Sequence, residues 1–122
     1  MTADNEEILN AGLEFALEFG PNWLKPVQSR LAAKYPELSP EILDEYDKLC
    51  RSAMDKGHHY IYTRLEQALD AGEKISEVQL SEGLSAYLLA LFPWVHYRNM
   101  GHIQSQGLYY AWKDGLAGAL TN

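Results

Sequence analysis

Apolar residues recur along most of the chain at the spacing of one helical face, and no stretch sustains the alternation typical of a strand. Asp4 and Glu7 form a capping-box pattern at the start of the first predicted helix, and Gly20-Pro21 is expected to end it. The residues that share its apolar face are Ile8, Gly12, Phe15, Ala16 and Phe19.

A shorter second helix is predicted over residues 25–35, with Pro26 tolerated in its first turn and Pro36 ending it. Its apolar side consists of Val27, Leu31 and Tyr35. After it, Ser39-Pro40 is a strong start signal, because serine caps a helix and proline fits its first position.

The third helix is expected to be long, over about residues 40–70, with Gly72 closing it. At 1.5 Å per residue its length is ~45 Å if it is unbroken. Gly57 lies on its apolar face and predicts either a close helix crossing or a bend.

Ser76 and Gln79 form a second capping box, before a row of leucines at positions 80, 84, 88 and 91. Pro93 then separates a fifth helical segment, roughly 93–118. This segment is rich in glycine, which suits a central helix that other backbones approach closely. Five helices with short connections predict an all-α, compact bundle in one domain, 1–122.

Charge divides the chain into two parts. Residues 1–82 carry 16 acids and 8 bases, whereas residues 83–122 carry one acid and two bases, for a net charge of −7. The acidic part repels phosphate, so no nucleic acid is expected as a partner. Two interpretations of this charge stay open: it only keeps the helices soluble, or it forms a surface for a basic protein partner. Half of the 14 aromatic residues lie between Tyr87 and Trp112, in the nearly uncharged part.

Cysteine content and hydropathy bear on the compartment. Cys50 is the only cysteine, so no intrachain disulfide forms, and its place among apolar residues predicts a small buried side chain. No signal-peptide pattern opens the chain, and the longest uncharged run, Gly83–Tyr97, is shorter than the ~20 residues that span a bilayer. The sequence therefore predicts a cytoplasmic protein without a membrane partner.

The fifth segment carries a candidate site. On a helical wheel, six amphipathic side chains fall within an arc of about 80°. This stripe consists of Trp94, Arg98, His102, Ser105, Tyr109 and Trp112. Arg98 offers a planar fork for a carboxylate or phosphate, His102 an exchangeable proton, Ser105 and Tyr109 hydrogen bonds, and the tryptophans aromatic walls.

Two interpretations of the stripe stay open. It is either the wall of a pocket for an anionic ligand, or a boundary between core and surface, where amphipathic side chains bury their apolar parts and keep their polar end groups in water. The opposite side of the segment is also apolar, so little solvated surface is expected on this helix.

Arg64 is a second candidate, because it is a charge on the apolar face of the third helix. A structural salt bridge, with Glu14, Glu77 or Glu82 as partner, is one interpretation. The other makes Arg64 and Arg98 joint anchors for an anionic ligand.

Metal and catalytic motifs are weak. Asp55 is spaced to share a helix face with His58 or His59, but this chain lacks the paired Glu-x-x-His motifs of helical metal sites, and no metal or cofactor is predicted. Phosphate-binding loops, zinc-protease motifs and a nucleophile elbow do not occur in the sequence.

Three functions remain. The favoured one is a non-catalytic binding or protein-interaction module, and the chain is not expected to be an enzyme. The second is a ligand sensor or enzyme with a pocket lined by Arg98, His102 and Tyr109. The third is a homodimer built on the apolar C-terminal helices.

Overall fold

The computed structural model describes residues 5–18 and 27–121 and confirms the all-α bundle. The helices are α1 (Asn5–Ala16), α2 (Gln28–Lys34), α3 (Pro40–Asp70), α4 (Glu77–Leu91) and α5 (Tyr97–Lys113), followed by a short 3-10 helix (Leu116–Ala119). Two-residue strands, β1 (Ile75–Ser76) and β2 (Leu120–Thr121), pair in parallel and tie the C-terminus to the start of α4.

The long helix α3 forms for the reasons that the sequence indicates. The Ser39 hydroxyl accepts a hydrogen bond from the backbone N–H of Ile42 at 3.3 Å, and Pro40 is the first residue of the helix. The helix continues unbroken through Gly57 for 31 residues. Gly72 follows its end with a φ of +69°, a conformation that glycine adopts without strain.

Gly57 marks a close crossing of three helices. A methyl group on Gly57 would overlap the side chain of Ile103 on α5 and would lie 3.2 Å from Leu88 on α4. Gly107, one turn after Ile103 on α5, also marks a close contact with α3, because a methyl group there would lie 2.9 Å from the Cβ of Ile61. Glycine at these positions therefore lets α5 pack closely against α3.

The helix α3 packs against all the other described helices, so the core surrounds it. Residues 5 and 9 of α1 contact residues 46 and 50 of α3, in that order, and residues 57 and 61 of α3 contact residues 103 and 107 of α5. Because both series of contacts rise together along the chain, α1, α3 and α5 run parallel. By contrast, α4 runs antiparallel to them. The largest fully buried side chains are Leu13, Leu31, Ile61, Leu65, Leu80, Leu84, Leu88 and Ile103.

The second capping box is also present. The Ser76 hydroxyl accepts from the backbone N–H of Gln79 at 3.1 Å, and the Gln79 side chain accepts from the backbone N–H of Ser76 at 2.9 Å. Of the four predicted leucines on α4, Leu80, Leu84 and Leu88 are buried but Leu91 is exposed, because it is the last residue of the helix and departs from the i+4 row.

The fifth helix is shorter than the predicted segment 93–118, and this boundary was wrong. It begins at Tyr97, because the His96 ring accepts from the backbone N–H of Arg98 at 3.4 Å and so caps the helix. It ends at Lys113, before Gly115 takes a left-handed φ of +82°. Trp94 therefore lies in the connection before α5 rather than on it.

Several predicted features at the first two helices cannot be compared. Asp4, Phe19, Gly20-Pro21 and Pro26 lie outside the described residues. The described apolar residues of both helices behave as predicted: Ile8, Gly12 and Ala16 on α1 are buried, Phe15 is half-buried, and Val27, Leu31 and Tyr35 beside or within α2 are buried.

None of the helices within residues 5–18 and 27–121 combines the length and the hydropathy needed to cross a bilayer.

Candidate functional site

The predicted stripe lies on the outer face of α5. Its five members on the helix share that face, as their spacing requires, and all five are exposed: Arg98, His102, Ser105, Tyr109 and Trp112. The opposite face carries Ile103 and Gly107 and packs against α3. The expectation of little solvated surface on α5 was therefore wrong, because one apolar face is enough to attach the helix to α3.

The stripe does not surround one cavity in the described structure. Trp94 and Arg98 line a groove beside α1, and His102 and Ser105 line a small depression of about 160 Å³ beside Leu17. Tyr109 and Trp112 continue along the open surface toward the C-terminal end of α5.

Tyr109, Trp112 and Lys113 form an exposed cluster, which we call the aromatic patch. The ring centroids of Tyr109 and Trp112 are 6.2 Å apart, and the Lys113 ammonium lies 5.8 Å from the Tyr109 ring centroid. Tyr109 is 48% exposed and Trp112 is 64% exposed. Tyr110 supports the patch from below, with its ring edge-on to Tyr109 at 5.7 Å.

A partly buried polar pair joins α3 to α5 next to Tyr110, whose ring lies 5.5 Å from the His58 ring. His58 Nε2 and Gln106 Oε1 are 3.0 Å apart, and since an amide oxygen only accepts, the His58 nitrogen is the donor. The Gln106 amide nitrogen donates to the carbonyl of Leu17 and so connects α5 to the end of α1. Burial lowers the pKa of His58, and the hydrogen bond that His58 donates to Gln106 and the nearby Asp55 oppose this only in part.

A second polar cluster joins α1 to the start of α5. The Asn10 amide nitrogen donates to the carbonyl of Trp94 at 2.7 Å, and its oxygen accepts from the backbone N–H of His96 at 2.8 Å. The Asn99 amide nitrogen donates to the side-chain oxygen and the carbonyl of Asn10, both at 3.0 Å. These bonds fix the connection that carries Trp94.

This second cluster forms the floor of an open groove of about 430 Å³ that we call the α1–α5 groove. Its polar and aromatic lining includes Asn10, Asn99, Trp94, Tyr35 and His96. The charged residues on its lining are Glu6, Glu7 and Glu14 from α1, Lys34 from α2 and Arg98 from α5.

Arg64 takes no part in either place. It is half-buried on α3, and its guanidinium donates to the side-chain oxygen of Gln67 at 3.1 Å. The ion pairs formed within the described residues do not include Arg64, so the predicted salt bridge to Glu14, Glu77 or Glu82 is absent there. Arg64 follows the Gly57–Ile103 contact on α3, whereas Arg98 precedes it on α5. Because the two helices run parallel, these arginines lie toward opposite ends of the α3–α5 interface and do not converge on one ligand.

Cys50 is fully buried, as predicted from its neighbours. Its thiol donates to the carbonyl of Leu9 at 3.3 Å, and burial raises its pKa to about 12. A thiol in this state is inert at neutral pH, which agrees with a packing role. The described residues contain no group of three or more metal-ligating side chains, and His59, next to His58, is exposed and lies near Thr63.

Sequence reasoning missed Asn10, Asn99 and Gln106 and considered His58 only as a metal ligand. Asn99 and Gln106 are the buried polar residues of the described core. A signal was available for these two, since they are seven residues apart on the side of α5 that also carries Ile103, and polar residues on an apolar face require partners.

Comparison with known protein families, curated proteins and solved structures found no match, so the site is interpreted from its own geometry.

Proposed function

We propose that the protein is a non-catalytic binding module that receives a partner protein on the outer face of α5. The observation that carries this proposal is the aromatic patch. Tryptophan and tyrosine contribute a large share of the binding energy at protein interfaces, and arginine, which lies farther along the same face at Arg98, is the third residue type enriched there.

The openness of this face favours a protein over a small molecule. Small ligands bind in concave sites that cover most of their surface, whereas Tyr109 and Trp112 stand on a convex helix. Leaving an indole in water forgoes the free energy of its burial, and a partner that covers it recovers that free energy.

Site-specific cross-linking tests the proposal. A photoreactive residue at position 112 is expected to cross-link one partner protein in cells, whereas the same residue at exposed Leu69 on α3 is not. With the purified partner, Tyr109→Ser is expected to weaken binding about tenfold or more, as for an interface hot spot. Equal cross-linking products from positions 112 and 69 would contradict the proposal.

A second candidate function is homodimerisation through α4. The apolar residues of this helix are not confined to its buried side, since Val78, Leu89 and Leu91 are exposed, and apolar residues beyond one face are often covered by a partner. Leu89→Lys combined with Leu91→Lys is expected to lower the mass measured by light scattering, whereas Glu82→Lys on the same helix is not. A monomeric mass for the unchanged protein at micromolar concentration would remove this candidate.

The proposal includes the predicted cytoplasmic location. It is supported by the single buried Cys50, since small secreted domains usually depend on several disulfides. Fractionation of cells that produce the tagged protein tests it.

A further inference from the structure

The α1–α5 groove has the size and the chemistry of a binding site. Its volume, about 430 Å³, lies within the range of cavities that hold a small ligand or a large side chain. Its floor is rigid, because the hydrogen bonds between Asn10, Asn99 and the Trp94 connection hold three segments of chain together.

The charge of the groove favours a cation. Glu6, Glu7 and Glu14 contribute three carboxylates from α1, against the two cations Lys34 and Arg98. The Lys34 ammonium lies 5.8 Å from the Tyr35 ring centroid. On the α1 wall of the groove, Glu6 and Glu7 lie on one side of Asn10 and Glu14 lies on the other, and Arg98 on the α5 wall is exposed.

A buried hydrogen-bond acceptor on the floor points to a donor ligand. Asn99 is 5% exposed, and its amide nitrogen is fully used by Asn10. Its Oδ1 receives no hydrogen bond from the described residues. This oxygen is also not completely buried, because the described polar atoms that are completely buried without a partner include only Gln28 Oε1. Since Asn99 lines the groove, this oxygen is accessible from there.

Trp94 adds an aromatic wall. It is half-buried, and its ring is held edge-on against Phe92 at a centroid distance of 6.0 Å. A planar cation stacks well on such a ring, and a guanidinium also presents five N–H donors to carboxylate and amide oxygens.

We propose that the α1–α5 groove receives an arginine side chain of the partner protein. The guanidinium donates to Oδ1 of Asn99 and to the Glu14 carboxylate while it lies against Trp94. This inference rests on the proposed function, because it names the chemistry of the partner's contact, and it predicts a partner with a basic surface.

An NMR titration of the ¹⁵N-labelled 122-residue chain with N-acetyl-arginine amide tests the inference. The Asn99 side-chain amide and the Trp94 indole signals are expected to shift with saturation in the millimolar range. N-acetyl-citrulline amide, which has nearly the same shape without the charge, and N-acetyl-glutamate amide are expected to leave both signals in place.

Three variants sharpen the result. Glu14→Gln is expected to weaken the arginine compound about two- to fivefold, as for a partly exposed ion pair, whereas Glu82→Gln on α4 leaves it unchanged. Arg98→Ala is expected to leave binding unchanged or to tighten it, because it removes a like charge from the groove. None of these positions makes a side-chain hydrogen bond within the described structure, so the fold is expected to be retained.

Two results would overturn the inference. One is the absence of shifts at about 20 mM of the arginine compound, which excludes affinity in the millimolar range. The other is binding of the glutamate compound that Arg98→Ala abolishes, which would make the groove an anion site. Cross-linking at position 112 does not depend on the groove, so either of these results would leave the proposal of docking on α5 unaffected. Conversely, a failure of that cross-linking would contradict docking on α5, while the titration would still show whether the groove binds an arginine side chain.

Discussion

In the C-terminal half of α5, small side chains lie on the buried face and large aromatic side chains lie on the exposed face. Toward α3 the helix places Gly107 and Ala111 in full contact with the core, whereas toward solvent it places Tyr109 and Trp112. Small residues on the inner face allow close approach of the two helices, and large residues on the outer face add nothing to that approach. The inner face therefore stabilises the fold, and the outer face is available for recognition.

The sharpest way to break this comparison is a truncation on each face. Ile103→Ala is expected to lower the free energy of unfolding by about 2–5 kcal/mol, because Ile103 is fully buried between α3 and α4. Trp112→Ala, although it removes a larger side chain, is expected to change it by less than about 0.5 kcal/mol. Urea denaturation measures both. A loss of several kcal/mol in Trp112→Ala would mean that the outer face is part of the core.

A matched pair of glycines gives the second test. Gly107→Ala is expected to destabilise the protein by about 1–2 kcal/mol, because its methyl group meets Ile61. Gly101→Ala, on the outer face, has open space around it and is expected to stabilise the protein by about 0.5–1 kcal/mol through helix propensity. Thermal or urea unfolding of the two variants is expected to move in opposite directions, and equal shifts would contradict the assignment of faces.

The pH dependence of stability probes the partly buried pair His58–Gln106. The pKa of His58 is lowered in the folded protein from the ordinary value of 6.5, so the unfolded chain binds a proton more readily. The stability is therefore complete above pH 6.5 and decreases as the pH falls below that value. Urea denaturation at several pH values between 5 and 7.5 measures the decrease.

Two variants assign this effect. His58→Gln keeps an N–H donor for Gln106 but does not titrate, so its stability is expected to depend less on pH in this range. His59→Gln changes an exposed neighbour and is expected to retain the dependence of the unchanged protein. If His58→Gln kept the full dependence, the His58–Gln106 pair would not be its source.

The smallest expected effect is that of Lys113. Its ammonium lies 5.8 Å from the Tyr109 ring centroid at the surface, near the limit for a cation–π contact, and such a contact contributes about 0.5 kcal/mol at exposed sites. Lys113→Ala is thus expected to leave the thermal unfolding curve almost unchanged. A clear drop in the unfolding midpoint would show that the patch is held together as a structural unit.

Local patterns predicted most of the helices well. Ser39-Pro40 and the Ser76–Gln79 pair determine helix starts through hydrogen bonds within a few residues, so they are readable from the chain. The start of α5 was misplaced because its cap is the His96 ring, which is not among the usual capping residues. The paired strands β1 and β2 were not predicted, since two residues are too few for a pattern.

The candidate site was predicted less completely. The spacing of Arg98, Tyr109 and Trp112 correctly predicts that they share a face of α5, because that depends only on helical geometry. Whether that face is covered depends on how many helices surround α5, and the spacing of residues carries no information about this number. The Asn10–Asn99 contact joins residues 89 positions apart, and for Asn10 no local signal indicates a partner at that distance.

By itself, the order of residues determined where helices begin, which residues line up along each helix, and that the chain's negative charge is concentrated before residue 83. Each of these depends on neighbours within a few positions or on simple composition. Tertiary structure alone decided that Gly107 and Ala111 face α3 while Tyr109 and Trp112 face solvent, and that Asn99 meets Asn10 at the floor of a groove. The reason is physical: burial and long-range hydrogen bonds depend on how close separate helices approach, and that approach is fixed by packing contacts between residues far apart in the chain.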